Sequence, residues 1–271
     1  MPTRSTRIHL TAGVRARCGA PLFIFLPGMD GSDLSLKSQM AELAVTFDPR
    51  CFCIPGDDTT DWVGLVKRLV ELVTVEKQTQ PQRPIYLCGE SFGACLALKV
   101  MGYRPDLFDR LILINPASSF NHQPWTSLVP FAKWIPSMTY RFAALGLLPF
   151  LVALDRISKQ NRDALLQAMQ AVTPETTVWR MRLLREFHIS HSLLTQVTLP
   201  VLLVAATADR LLPSVSEVKK LANIFPNTQT TILKNSGHVC LLEPDVSLYS
   251  ILHQTGKLWF PKYCALDIVE G

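Results

Sequence analysis

The chain has 271 residues, of which 48% are hydrophobic and 18% are charged, and its formal net charge is +5. This composition supplies enough apolar side chains for a buried core and excludes disordered and fibrous proteins. Basic and acidic residues are interspersed and no nucleic-acid-binding motif is present, so we predict no nucleic-acid partner.

The seven cysteines form no C-x-x-C pair, and none has the spacing to histidine that suits zinc. Most of them lie in apolar runs, as small buried side chains do in a reducing compartment. No uninterrupted apolar run reaches the roughly 18 residues that a membrane span requires. We therefore expect a cytoplasmic protein without a bound metal or other cofactor, with peripheral membrane contact left open.

Short, fully apolar runs bounded by Pro, Gly, Asn or Asp recur along the chain. Such runs are typical of strands buried on both faces of a parallel sheet. They alternate with segments of helical period, which predicts an α/β fold with one doubly wound, mostly parallel sheet. The predicted strands are Leu22–Leu26, Cys51–Ile54, Ile85–Cys88, Leu111–Ile114, Val201–Ala206 and Thr230–Lys234.

Three of the intervening segments predict particular helices. One carries an apolar stripe at positions i, i+3, i+4, i+7 and i+11. A second follows Pro213, where Ser214 and Glu217 fit a capping box, and a third is expected from about Pro244. The stripe consists of Trp62, Leu65, Val66, Leu69 and Val73.

The alternation stops between about Ala117 and Thr198. We interpret the chain as a single domain, residues 1–271, with a helical lid inserted at about 118–197. The first part of the lid is rich in Pro and large apolar residues, including Trp125 and Trp134. Two interpretations stay open: plain packing of the lid on the core, or an apolar entry that contacts a membrane surface.

The segment Gly89-Glu90-Ser91-Phe92-Gly93 carries the strongest chemical signal. A predicted strand precedes it and a helical segment follows it, which is the setting of a nucleophile elbow. The turn must be tight so that the Ser91 hydroxyl projects above the sheet, and Gly89 and Gly93 remove the side chains that would collide there. The pattern predicts Ser91 as a catalytic nucleophile.

A serine hydroxyl needs a base, and the base needs a carboxylate that orients it. His238 follows the predicted last strand, and Asp209 follows the strand before it, so both lie at the carboxyl edge of the sheet. The other position for the acid, after the preceding strand, holds Asn115 and cannot serve. We predict a catalytic triad of Ser91, Asp209 and His238.

Two backbone amides are expected to form an oxyanion hole. One belongs to Phe92, the residue after the nucleophile, and the other to Met29 in the Gly-rich loop after the first strand. Asp30 and Asp33 in the same loop are expected to form the turn and not to bind a metal.

These motifs together resemble the phytyl ester synthase/diacylglycerol acyltransferase family of plants and cyanobacteria, within the α/β-hydrolase superfamily. The resemblance implies acyl transfer from a lipid or thioester donor to a hydrophobic alcohol such as phytol or diacylglycerol. It also implies catalytic roles for Ser91, Asp209 and His238. The matching segments are Phe25–Gly31, Pro84–Leu98, Leu113–Phe120, Ala208–Ser214, Asn235–His238 and Leu241–Glu243.

The sequence departs from longer family members in one respect. Those members carry a second acyltransferase domain with an H-x-x-x-x-D motif, whereas no histidine here has an aspartate five residues later. We therefore expect a serine esterase, lipase or acyltransferase that forms an acyl-enzyme on a hydrophobic acyl ester or thioester. A triad hydrolase of a small polar ester, a peptide or a C–C bond, and a catalytically silent binding module, are the alternatives.

Overall fold

The structure, a computed structural model, describes residues 7–13, 19–123, 126, 145–256 and 259. Within these residues one sheet of seven strands carries helices on both faces, which confirms the predicted α/β fold. The strands are β1 (His9–Leu10), β2 (Leu22–Leu26), β3 (Asp48–Cys53), β4 (Ile85–Glu90), β5 (Arg110–Ile114), β6 (Val201–Ala206) and β7 (Thr228–Leu233).

The strand order across the sheet is β1-β3-β2-β4-β5-β6-β7, and every neighbouring pair is parallel except β1 with β3. The chain therefore leaves β2 toward β3 on one side and later returns to β4 on the other side. Loops after two such adjacent strands diverge and leave a crevice at the carboxyl edge of the sheet. In this chain the two diverging loops are the loop after β2 and the loop after β4.

The two faces of the sheet bury separate apolar cores, because successive side chains of a strand point to opposite faces. In β2, Leu22, Ile24 and Leu26 enter one core, whereas Phe23 and Phe25 enter the other. Helices α2, α3 and α7 cover the first core, and α1 and α8 cover the second. The helices are α1 (Leu34–Leu43), α2 (Trp62–Thr79), α3 (Phe92–Met101), α4 (Lys159–Gln170), α5 (Pro174–Arg185), α6 (His191–Leu194), α7 (Ser214–Ala222) and α8 (Leu248–Gln254).

The predicted strands are all present, with small changes at their ends. Strands β2 and β6 have the predicted bounds, and β4 continues two residues further, to Glu90, so that it reaches the serine turn. Strand β1 was not predicted. It pairs antiparallel with β3 and has only two residues, which are too few to show the alternating pattern of a strand.

The helix predictions have a mixed outcome. The five stripe residues of α2 are all buried, as predicted. The capping box is wrong: α7 begins at Ser214, but Pro213 takes the N-cap position and no side chain caps this end. The helix expected from about Pro244 begins only at Leu248, where the Ser247 side chain accepts a hydrogen bond from the Ser250 amide.

Helices α4, α5 and α6 lie between β5 and β6, in the part of the chain predicted to be an inserted lid. The large apolar residues of that prediction, Trp125 and Trp134 among them, lie outside the described residues. A further helical segment covers 145–151. None of the helices in the described ranges combines the length and the apolar character needed to cross a membrane.

Candidate active site

Ser91 occupies a sharp turn between the end of β4 and the start of α3. Its φ of 55° and ψ of −111° lie in a region that side-chain-bearing residues rarely adopt. Its amide donates a 3.0 Å hydrogen bond to the Ile114 carbonyl at the end of β5, which attaches the turn to the sheet. This is the geometry of a nucleophile elbow, in which backbone strain lifts the serine side chain above the sheet.

The two glycines of the motif allow the elbow to pack. A Cβ atom on Gly89 would lie 2.5 Å from the Gly93 carbonyl oxygen, and one on Gly93 would lie 2.0 Å from the Leu26 carbonyl oxygen. Both distances are far below van der Waals contact. Helix α3 therefore approaches β4 and the end of β2 so closely that only glycine fits at either position.

His238 reaches Ser91 from the loop after β7. Its Nε2 atom lies 2.8 Å from Ser91 Oγ, and its Nδ1 atom lies 2.7 Å from Asp209 Oδ2. A carboxylate only accepts hydrogen bonds, so Nδ1 carries the hydrogen and Nε2 is left to accept from the serine hydroxyl. Of the six histidines, all within the described ranges, only His238 hydrogen-bonds Ser91.

Asp209 is held in the loop between β6 and α7. Its Oδ1 atom accepts 2.9 Å hydrogen bonds from the amides of Leu211 and Leu212, and its Oδ2 atom accepts one from the Ser214 hydroxyl. This last bond explains why Ser214 does not form the predicted capping box: its hydroxyl is used by Asp209. The carboxylate orientation is thereby fixed before any ligand binds.

His238 and Asp209 alter each other's protonation. Burial disfavours the charged form of His238, but Asp209 and, to a smaller degree, Glu90 raise its pKa overall. Burial also disfavours the charge on Asp209, but His238 and Ser214 are among the partners that lower its pKa overall. The site therefore stabilises an imidazolium next to a carboxylate, the state that a general base reaches after taking the serine proton.

The loop that bears His238 is fixed by two buried polar side chains. Asn115 donates a 2.6 Å hydrogen bond from Nδ2 to the His238 carbonyl and accepts one of 2.8 Å from the Ala206 amide. Glu243 accepts a 2.7 Å hydrogen bond from the Gly237 amide. Asn115 thus occupies the alternative acid position, but its side chain supports the histidine backbone and not the ring.

The two predicted oxyanion donors flank Ser91. Met29 lies in a turn closed by a 3.0 Å hydrogen bond from the Gly31 amide to the Gly28 carbonyl. A Cβ atom on Gly28 would lie 4.0 Å from Ser91 Cβ, so this turn passes directly beside the serine. Neither the Met29 amide nor the Phe92 amide donates a hydrogen bond to another described residue.

Glu90, which precedes Ser91, is a buried carboxyl that the sequence did not single out. It is 3% exposed, and its Oε1 atom has no hydrogen-bond partner among the described residues. Burial raises the pKa of Glu90 to about 7, although a hydrogen bond from Ser35 and the positive charge of His238 act to lower it. The charge of Glu90 should therefore change near neutral pH, close to His238. The only signal for it in the sequence was its place in the motif.

The two acidic residues of the loop after β2, Asp30 and Asp33, form local contacts. Asp30 accepts hydrogen bonds from the amide and the hydroxyl of Ser32, and burial raises its pKa. Asp33 pairs with Lys37 at 3.0 Å.

The serine aminopeptidase S33 family model matches residues 57–245, which is more than half of the chain and includes Ser91, Asp209 and His238. The chain belongs to this family. At 16% sequence identity, the structure of MenH from S. aureus superposes with a TM-score of 0.76, covering 92% of this chain and 97% of that one. Such a likeness supports the α/β-hydrolase fold of this S33 family member.

Two curated relatives of this S33 family chain act on lipids according to their names. Phytyl ester synthase 1, chloroplastic, of Arabidopsis thaliana is 34% identical over 261 residues, which cover 88% of this chain and 37% of the relative. Monoglyceride lipase of Rattus norvegicus is 24% identical over 200 residues, covering 72% of this chain and 64% of the lipase. The chain therefore spans less than two fifths of the phytyl ester synthase.

Proposed function

We propose that this chain is a serine enzyme that transfers acyl groups from hydrophobic esters or thioesters through an acyl-enzyme on Ser91. The observation that carries the proposal is the continuous hydrogen-bonded series from Ser91 Oγ to His238 to Asp209, with distances of 2.8 Å and 2.7 Å. A serine on a strained turn, a base and an orienting carboxylate constitute the machinery of nucleophilic acyl transfer.

In the first half of the proposed reaction, Ser91 Oγ attacks the ester carbonyl carbon while His238 Nε2 takes the hydroxyl proton. The carbonyl oxygen becomes an anion that accepts hydrogen bonds from the amides of Met29 and Phe92. The bond to the leaving alcohol then breaks, and His238 returns the proton to that alcohol. The products of this half are a free alcohol and an ester between the acyl group and Ser91.

In the second half, an acceptor hydroxyl replaces the leaving alcohol and the same steps run in reverse. His238 removes the acceptor proton, the acceptor oxygen attacks the acyl carbon, and the proton passes to Ser91 Oγ. With water as acceptor the product is a fatty acid, and with a long-chain alcohol it is a new ester. The names of the relatives point to both outcomes, since one is an ester synthase and the other a lipase.

A hydrophobic substrate is supported by an apolar surface next to the histidine loop. Four side chains of the segment 145–154 are between 37% and 49% exposed: Leu145, Leu147, Phe150 and Leu154. The same segment packs directly on that loop, because the Val239 amide donates a 2.9 Å hydrogen bond to the Leu151 carbonyl. An exposed apolar patch beside a catalytic centre is typical of enzymes whose substrates lie in lipid aggregates.

We propose that this patch makes the peripheral membrane contact that the sequence left open. Co-sedimentation with vesicles of a neutral lipid tests it, with Phe150→Ser as the variant and Val63→Ser, at an exposed position on α2, as the matched control. The proposal predicts that the wild type and the control sediment with the vesicles and that Phe150→Ser does so less. If all three proteins stay in the supernatant, the proposal of a membrane contact is wrong.

Product analysis tests the acyl-transfer proposal. The purified protein is incubated with a long-chain acyl ester or galactolipid, with and without phytol, and the products are identified by mass spectrometry. Phytyl esters that are absent with Ser91→Ala would identify an acyltransferase, and free fatty acid alone would identify a lipase. If neither product forms, or if Ser91→Ala forms them equally well, the proposed function is wrong.

A further inference from the structure

Arg180 is a charged residue at a core-facing position of α5. It shares the buried face of this helix with Thr176, Leu183 and Leu184, and it is 2% exposed. Arginine is almost never buried to this extent unless its guanidinium is paired, because the desolvation of an unpaired charge costs several kcal/mol. Its partners therefore indicate what the residue does.

The guanidinium bridges two backbone carbonyls in different loops. Nη1 donates a 2.6 Å hydrogen bond to the Met29 carbonyl after β2, and Nη2 donates one of 2.6 Å to the Pro55 carbonyl after β3. No carboxylate of the described residues lies within 4.0 Å of the guanidinium, although Asp30 and two further aspartates act on it electrostatically. Arg180 thus recognises loop backbone and not an acidic side chain.

The carbonyl that Nη1 holds belongs to the predicted oxyanion turn. The peptide that contains the Met29 amide also contains the Gly28 carbonyl, which the Gly31 amide holds at 3.0 Å. The following peptide contains the Met29 carbonyl, which Arg180 holds. Gly31 has a φ of 69°, and its carbonyl accepts a 2.9 Å hydrogen bond from the Ile54 amide. The turn is therefore fixed on both sides of the Met29 amide.

We propose that Arg180 is a positioning residue: it holds the Met29 turn so that the Met29 amide points at the carbonyl oxygen of the bound substrate. The inference rests on the proposed acyl-transfer function, because an oxyanion forms only in that reaction. It also assigns a role in the site to α5, a helix of the segment between β5 and β6. A displacement of about 1 Å in such a group can cost about 100-fold in rate, so loss of the anchor should reduce catalysis.

A purely structural role for Arg180 predicts a different result. If the residue only attached α5 to the domain, its loss would lower stability or weaken substrate binding in general. A positioning role predicts a fall in kcat with little change in KM, because the oxyanion contact strengthens in the transition state.

The test compares Arg180→Met and Arg180→Lys with Arg182→Met, whose residue lies on the exposed surface of the same helix and pairs with Glu186. Kinetics with a long-chain p-nitrophenyl ester give kcat and KM, and circular dichroism reports folding. Inhibition by an alkyl trifluoromethyl ketone, which forms an anionic adduct with a serine, is compared with inhibition by the matching methyl ketone. Only the first ketone places a charged oxygen in the oxyanion hole.

We expect Arg180→Met to lower kcat about 10- to 100-fold with KM within about twofold of the wild type. Inhibition by the trifluoromethyl ketone should weaken by a similar factor, and inhibition by the methyl ketone should not. Arg180→Lys keeps the charge but not the planar guanidinium, so its kcat should lie between those of Arg180→Met and the wild type. Arg182→Met should have the kcat of the wild type.

A folded Arg180→Met variant with wild-type kcat, or with both ketones weakened alike, would overturn the inference. Should Arg180→Met fail to fold, a folded Arg180→Lys variant decides: reduced kcat supports the inference and wild-type kcat overturns it. The proposed function itself would be overturned by a different result, and this inference with it. That result is a wild-type protein that does not cleave the ester and does not bind the trifluoromethyl ketone more tightly than the methyl ketone.

Discussion

The hydroxyl of Ser214 donates a hydrogen bond to Asp209 Oδ2, the same oxygen atom that faces Nδ1 of His238. Ser214 is the first residue of α7 and is 2% exposed, so water does not compete for this contact. Ser214 therefore fixes the rotation of the carboxylate and stabilises its negative charge. Burial acts to raise the pKa of Asp209, but His238 and, to a smaller degree, Ser214 are among the partners that lower it overall.

We expect Ser214→Ala to lower kcat/KM about 10- to 150-fold, because a hydrogen bond to a charged group contributes about 1.5–3 kcal/mol. Steady-state kinetics measure this directly. Ser216→Ala is the matched control: Ser216 lies on the same helix, and its hydroxyl donates to the Pro213 carbonyl at an exposed position. Equal activity of the two variants would show that the hydrogen bond from Ser214 to Asp209 does not contribute to catalysis.

The protonation of Glu90 should affect the pH dependence of catalysis. In the proposed mechanism His238 is the general base and must be neutral to act, so kcat/KM should rise as the pH rises through the raised pKa of that residue. Anionic Glu90 contributes to raising this pKa, and His238 in turn acts to lower the pKa of Glu90. We expect Glu90→Gln to move the acid limb of the pH profile to lower pH, and a limb that stays in place or moves upward would contradict this.

Glu90 should also make stability depend on pH. Its pKa in the folded protein is raised from 4.5 to about 7 by burial, so the protonated form is favoured on folding. The contribution of Glu90 to the free energy of unfolding should therefore fall, by up to about 3 kcal/mol, as the pH rises through the window from 4.5 to about 7, and Glu90→Gln should remove this contribution. Chemical denaturation at several pH values measures it, with Glu71→Gln, at an exposed site on α2, as the control. A wild-type curve as flat as that of the variant would show that Glu90 does not titrate as described.

Asn115 occupies the position after β5 where a catalytic acid can also stand, yet its side chain faces the His238 carbonyl. We expect Asp209→Asn to lower kcat about 10³- to 10⁴-fold. Adding Asn115→Asp should not restore activity, because the new carboxylate would face a carbonyl oxygen and not the imidazole. Asn115→Asp alone should destabilise the fold by about 1–3 kcal/mol, since two acceptors would then oppose each other. Kinetics and denaturation of the single and double variants check both statements, and recovery of activity in the double variant would contradict them.

The sequence identified the elements that place Ser91, Asp209 and His238 together. Each residue follows a short apolar run, and parallel strands bring their carboxyl ends to one edge of the sheet. Their common location at one edge of the sheet therefore followed from the parallel arrangement of the predicted strands. In the structure, His238 hydrogen-bonds both Ser91 and Asp209.

The supporting residues were not predictable in the same way. Asn115 contacts a carbonyl 123 positions later in the chain, and Arg180 contacts carbonyls 151 and 125 positions earlier. No local pattern encodes such partners, because they depend on how distant segments pack. Ser214 shows the opposite difficulty: its local pattern fits a helix cap, but a nearby carboxylate competes for the hydroxyl.

If Ser91 carries the acyl group, the covalent intermediate can be trapped on this residue. The protein is mixed with a long-chain acyl ester, quenched in acid after a short interval, digested, and analysed by tandem mass spectrometry. We expect an acyl adduct on Ser91, in the peptide that also carries Glu90, and no adduct with Ser91→Ala. Turnover of the ester by Ser91→Ala at the wild-type rate, or an adduct on another residue, would contradict this expectation.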